Sequence, residues 1–149
     1  MAAGEAVGEA REAVAAVDGL LAWISKNVEP SLVTSIPSAL EVLGKKKGAC
    51  KEHTVLFIAM ARSLGIPART VSGIVYSDQQ MIEGFYYHAW AEVYLAGPDG
   101  AGSWVSVDPS FNQNPADATH VKLIEGDLEK MLNLMQVIGR LRVEVEDYR

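Results

Sequence analysis

Gly48-Ala49-Cys50-Lys51-Glu52-His53-Thr54-Val55-Leu56-Phe57-Ile58-Ala59-Met60-Ala61-Arg62-Ser63-Leu64-Gly65-Ile66-Pro67 is the stretch that decides the fold. Val55 to Ala61 is apolar without a break, the mark of a helix buried on most sides. Gly65-Ile66-Pro67 stops it. Cys50, the chain's single cysteine, stands at the start of this helix. The unpaired N–H groups of a first turn, with the helix dipole, favour a thiolate there. A cysteine in that position is as readily a packing residue as a nucleophile.

Upstream, residues 5–28 carry Val7, Ala10, Val14, Val17, Leu21, Ile24 and Val28 at alternating spacings of three and four. That places them on one face of a helix laid on the core. A short helix follows from Pro37 to Leu43, with Ser38 and Glu41 at capping-box spacing and Gly44 just past its end. Lys45-Lys46-Lys47 reads as a solvated loop.

Downstream, Arg69 to Tyr76 reads as a strand and Ser77 to Gly84 as a polar loop. Phe85 to Leu95 is a long strand, Gly97-Pro98-Asp99-Gly100 a turn, and Trp104 to Asp108 the returning strand. Asp127 reads as the N-cap of a helix to Ile138, ended by Gly139. Leu141, Val143 and Val145 alternate with charged residues, which predicts a one-sided closing strand. The fold class is α+β, a central helix packed on an antiparallel sheet.

With 149 residues, the chain reads as a single domain with an N-terminal helical part (1–35) and a core (36–149). Its abrupt start inside a helical pattern suggests a piece of a longer protein with partner domains. The N-terminal stretch has no apolar signal-peptide core, and no apolar run spans a membrane. The cellular site stays open: a fragment of a larger membrane or exported protein fits as well. The formal net charge of -6 argues against nucleic acid.

On the long strand, Tyr86, His88, Trp90 and Glu92 share one face; on the returning strand, Trp104, Ser106 and Asp108 do. Pivoting the hairpin on the turn brings Asp108 within one position of His88, close enough for a cross-strand hydrogen bond. A carboxylate-held imidazole is what a thiol nucleophile requires, because it takes the thiol proton and later protonates the leaving amine.

Three blocks carry a resemblance. Gly48-Ala49-Cys50-Lys51-Glu52-His53 with Ala61 to Arg69, then His88-Ala89-Trp90-Ala91-Glu92-Val93-Tyr94, then Trp104-Val105-Ser106-Val107-Asp108-Pro109-Ser110 resemble the cysteine, histidine and aspartate blocks of bacterial transglutaminase-like domains. Asp117-Ala118-Thr119-His120 is similar to a later segment of one bacterial branch. The resemblance runs from about residue 36 to the C-terminus. It implies a papain-like core, Cys50 as nucleophile, His88 as base and Asp108 as orienting carboxylate. It also implies thioester chemistry on a protein or peptide substrate: hydrolysis, slightly favoured, or transfer to an amine. No cofactor is implied, and no acidic loop suggests calcium. Ala49 departs from the Asp or Val often found there, which bears on substrate preference.

His53, Trp90 and Tyr86 are further candidates for lining a substrate cleft, although His53 reads more simply as a local packing residue and Trp90 as core. Glu52 is expected to pair with Arg69 or Lys51. His120 reads as structural. Two rival readings are a non-catalytic module on the same fold and a zinc site built from Cys50, His53, His88 and Asp108.

Overall fold

The computed structural model describes residues 2–32, 38–79, 83–97, 99–126 and 128–147. Helix α1 (Ala2–Asn27) is followed by the short strand β1 (Glu29–Pro30), α2 (Ala39–Lys45), the short strand β2 (Lys47–Gly48) and α3 (Cys50–Ser63). Then come β3 (Ala68–Ser77), β4 (Gly84–Ala96), β5 (Gly102–Val107), β6 (His120–Glu125) and α4 (Leu128–Ile138). The main sheet has the order β5-β4-β3-β6, every neighbouring pair antiparallel. Among the described residues, no helix is long and apolar enough to cross a membrane.

The core forms where the helical and strand periodicities meet. Val17, Leu21, Ile24 and Val28 of α1 and its exit pack with Leu56, Phe57, Ile58 and Ala61 of α3. The same cluster takes in Ala91, Val93 and Leu95 of β4 and Val107 of β5, alternate residues that a strand places on one face. Phe57 is fully buried. α3 is thus the central helix expected of it, with α1 closing over its outer side.

Local chemistry sets the ends. Ser38 Oγ accepts from the Glu41 N–H at 3.2 Å, and Glu41 reaches back to the Ser38 N–H, completing the capping box. Pro37 lies outside the described residues. α2 does not stop before Gly44 as expected. It continues to Lys45, and Lys46 takes the left-handed cap (φ 52°), its N–H bonded to Val42 O. At α3, Glu52 Oε2 accepts the Ala49 N–H at 2.9 Å, tying down the start of the cysteine helix. Gly48 is required just before it, because a Cβ there would lie 2.2 Å from Glu52 Cβ. α3 ends at Ser63, ahead of Gly65 at φ +79°.

In the C-terminal third one sequence expectation fails and one strand goes unread. Residues 141–147 form no strand, and Leu141, Val143 and Val145 are exposed. Alternation says which side of a strand would be apolar; it does not supply a partner edge. The fourth strand of the sheet is instead β6, which the sequence does not announce. It pairs with β3 through a register shift at Ser72/Gly73. Val121 and Leu123 on it are exposed, so β6 has no core-facing apolar stripe to read. α4 packs along β6 and β3, burying Met131 and Leu134. Asp127, its expected N-cap, lies outside the described residues.

Candidate active site

The sheet register carries the site. Ala91 pairs with Val107 and Glu92 with Ser106, so Asp108 continues the ladder towards Trp90 rather than His88. His88 and Asp108 are therefore diagonal neighbours, and a diagonal still lies within reach of a ring. His88 Nε2 sits 2.6 Å from Asp108 Oδ2. Asp108 is fully buried and His88 is 5% exposed.

Asp108 is fixed on all sides. Its Oδ1 accepts the N–H groups of Ser110 (2.7 Å) and Phe111 (3.1 Å), an Asx-type turn that sets the carboxylate plane. Its backbone exchanges hydrogen bonds with Gln113. Its Oδ2 receives a second imidazole: His120 Nε2 lies 2.8 Å away.

Cys50 reaches this pair from the first turn of α3. Thr54, one turn on, donates its hydroxyl to Cys50 O (2.8 Å) and Ala89 O (3.1 Å). That hydrogen bond pins the helix start against the residue next to His88. The Cys50 side chain is partly exposed and close enough to His88 to act on its charge.

The electrostatics follow from these contacts. Burial disfavours the His88 imidazolium, but hydrogen bonding and charge from Asp108 and Cys50 outweigh it and raise its pKa to about 9. Burial likewise opposes the Asp108 carboxylate, yet hydrogen bonds from His120 and His88 hold it well below the usual range. His120 is raised above an ordinary histidine: its desolvation is overcome chiefly by Asp108.

Aromatic rings enclose the pair. Phe111 stacks on His88 with centroids 4.7 Å apart and planes at 10°, and is itself 49% exposed. Trp90 lies near-parallel to His88 at 6.0 Å and edge-on to His120 at 5.1 Å. Gly73, opposite His88 in the register, makes room for this: a Cβ there would meet Val121 O at 2.1 Å and Trp90 Cη2 at 3.0 Å.

Of the residues expected at the site, Cys50, His88, Asp108 and Trp90 come together. Trp90 is buried beside the two imidazoles, and Tyr86 lies on β4 two residues before His88. His53 does not join them. Its Nδ1 lies 2.8 Å from Ala49 O and its Nε2 3.3 Å from Val28 O, so its ring ties α3 to the exit of α1. That removes His53 from the expected zinc set. His88, Asp108 and His120 do bring ligand-type atoms within 4.8 Å of one another. Both Nε2 atoms, however, meet the same carboxylate oxygen at hydrogen-bond length, the geometry of proton sharing. Glu52 lies 3.7 Å from Lys51 Nζ, while Arg69 pairs with Glu92 and Glu125. Phe111 and His120 are the site residues the sequence does not reveal. The only signal for His120 is its place in the Asp117–His120 segment.

Comparison with known proteins gives the family of the fold. The sequence profile of the Transglutaminase-like superfamily matches residues 1–109, taking in α1 and ending one residue past Asp108. Uncharacterized proteins of Mycobacterium tuberculosis and Mycobacterium bovis are 35% identical over 78 residues, which is 49% of this chain and 25% of theirs. One from Mycobacterium leprae is 26% identical over 115 residues, 73% of this chain and 39% of its own. The chain therefore spans a quarter to two-fifths of the length of these curated relatives. Among solved structures, a candidate cysteine protease from Cytophaga hutchinsonii superposes with a TM-score of 0.55 at 28% identity, over 76% of this chain and 35% of that one. The chain belongs to the transglutaminase-like superfamily.

Proposed function

We propose that Cys50, His88 and Asp108 form a catalytic triad for acyl transfer or hydrolysis at amide bonds of a protein or peptide substrate. The observation that carries this reading is the buried 2.6 Å His88–Asp108 hydrogen bond beside the start of the helix that bears Cys50. Because Nε2 of His88 faces Asp108, its Nδ1 is the nitrogen left for the thiol.

The steps follow from that arrangement. The Cys50 thiol gives its proton to His88, and the thiolate attacks the amide carbon. The carbonyl π bond opens onto its oxygen, and the Cys50 backbone N–H, one of the first four in the helix without an intrahelical acceptor, stabilises that oxyanion. The oxyanion collapses, the C–N bond breaks and the His88 imidazolium protonates the leaving amine. A thioester remains. Water, or a second amine, gives a proton to His88, attacks the thioester and releases the Cys50 sulfur. Asp108 keeps the His88 ring oriented and supports its positive charge throughout. The likeness to a candidate cysteine protease supports water as the acceptor.

Iodoacetamide labelling of Cys50 tests the triad. At pH 6 the native chain should label at least about tenfold faster than His88→Ala, because an ordinary thiol is scarcely ionised there. Equal rates from pH 6 to 8 would remove the triad.

A further inference from the structure

We infer that His120 is a positioning residue of this catalytic unit. It secures Asp108 from β6 while His88 does so from β4, and as an imidazolium it moderates how firmly His88 keeps its proton. The inference rests on the triad reading above and adds a residue beyond the stretch matched by the family profile.

The hydrogen bonds of His120 fix its state. Nε2 lies 2.8 Å from Asp108 Oδ2, an acceptor, so Nε2 carries a proton. Nδ1 is surrounded by acceptors as well: Asp117 Oδ1 at 3.1 Å, Asp117 O at 3.3 Å and Thr119 Oγ1 at 3.4 Å. The Thr119 hydroxyl donates its hydrogen to Asp117 Oδ1, so towards His120 it offers only a lone pair. A neutral imidazole has one donor and one acceptor nitrogen, and its acceptor would face three acceptors here. A doubly protonated ring satisfies both sides. Its raised pKa agrees.

A line of alternating charge results: Asp117, His120, Asp108, His88 and, in the ion-pair state, Cys50. Asp117 is half-exposed and the next three are buried. Tyr87, whose buried hydroxyl lies beside Ser72, is a further titratable neighbour that feels charge at Cys50. Two cationic rings with centroids 5.6 Å apart share one carboxylate oxygen. Each weakens the other's hold on its proton. For the proposed reaction that is useful, since a His88 bound to Asp108 alone would be a weaker acid towards the leaving amine. His120 also occupies the second lone pair of Oδ2, so the carboxylate cannot turn away from His88.

The test is a side-chain NMR pH titration of His88 in the native chain and in His120→Gln, where the amide N–H can still reach Asp108 but the charge is gone. The alkaline midpoint of His88 should rise by about one pH unit. A merely structural His120 predicts no rise, and an unmoved or lowered midpoint overturns the inference. Asp117→Asn, at a half-exposed position, is the second variant should His120→Gln fold poorly. By weakening the protonation of His120 it should move the midpoint in the same direction by less, and no movement again overturns the inference. Cys50 labelling separates the two readings. If the midpoint rises while His88→Ala leaves labelling unchanged, the triad fails and His120 positions no catalytic unit.

Discussion

β4 carries two charged clusters four residues apart, built on opposite plans. Around Glu92 the partners are permanently charged. Arg69 meets it at 2.7 Å and Lys122 at 2.8 Å, and both also reach Glu125 at the surface. Around Asp108 the partners are two histidines, and the cluster is sealed by Trp90 and Phe111. The first arrangement fixes charge where water still reaches the cations; the second places groups that can exchange protons where water is largely excluded. Low dielectric strengthens each interaction in the buried cluster and makes each lost partner expensive. The two clusters use the same kinds of atoms; what separates them is titratability and burial.

Breaking the buried cluster should give the largest effect. Asp108→Asn removes the one anion that two buried imidazoles share, and urea denaturation at pH 6 should show a loss of about 3–5 kcal/mol. The pH profile sharpens the point. His88 rises from an ordinary value near 6.5 to about 9 on folding. Its contribution is therefore fully present below about pH 6.5 and is lost as pH rises through about 9. Asp108 is lowered on folding, so its contribution is present above about pH 4 and fades only in stronger acid. Native stability should thus fall between pH 6.5 and 9, and Asp108→Asn should flatten that fall. A fall of equal size in the variant would mean that another group is titrating.

The same contrast explains what could be read from the sequence. The helix of Cys50 and the hairpin of His88 are written in residues that face the core, Leu56, Phe57 and Ala61 on one and Ala91, Val93 and Leu95 on the other. Periodicity therefore found both. The hairpin placed Asp108 one step from its observed register, because the pivot of a turn is not fixed by its composition. β6 has outward apolar residues, so nothing in its pattern says strand, and the arrival of His120 at Asp108 is invisible without the β3 pairing. His53 follows the simpler of its two readings: its ring lies between carbonyls of Ala49 and Val28 rather than in the cleft. Leu141 to Val145 have the alternation of a strand but pair with neither edge of the sheet.

Glu92 tests the other side of the comparison. Glu92→Gln leaves Arg69 and Lys122 with Glu125 as their shared anion, so about 1–3 kcal/mol should be lost in urea denaturation. The fall between pH 6.5 and 9 should persist, because no histidine partners Glu92. A flattened profile in this variant would show the two clusters to be one electrostatic unit.

The smallest effect belongs to Lys122→Ala. The Lys122 side chain is 38% exposed, and its bond to Glu125 at 2.8 Å joins residues three apart at the surface. Exposed pairs of this kind contribute about 0–1 kcal/mol. The Glu92 contact adds little beyond that, because Arg69 still neutralises Glu92 when the lysine is gone. Salt then separates the two clusters. At about 0.5 M added salt, the difference between native chain and Lys122→Ala should vanish, since screening acts on charges that water reaches. The cost of Asp108→Asn should survive the same salt nearly whole, since its partners are enclosed. Equal salt sensitivity in both variants would break the distinction between an open network and a sealed one.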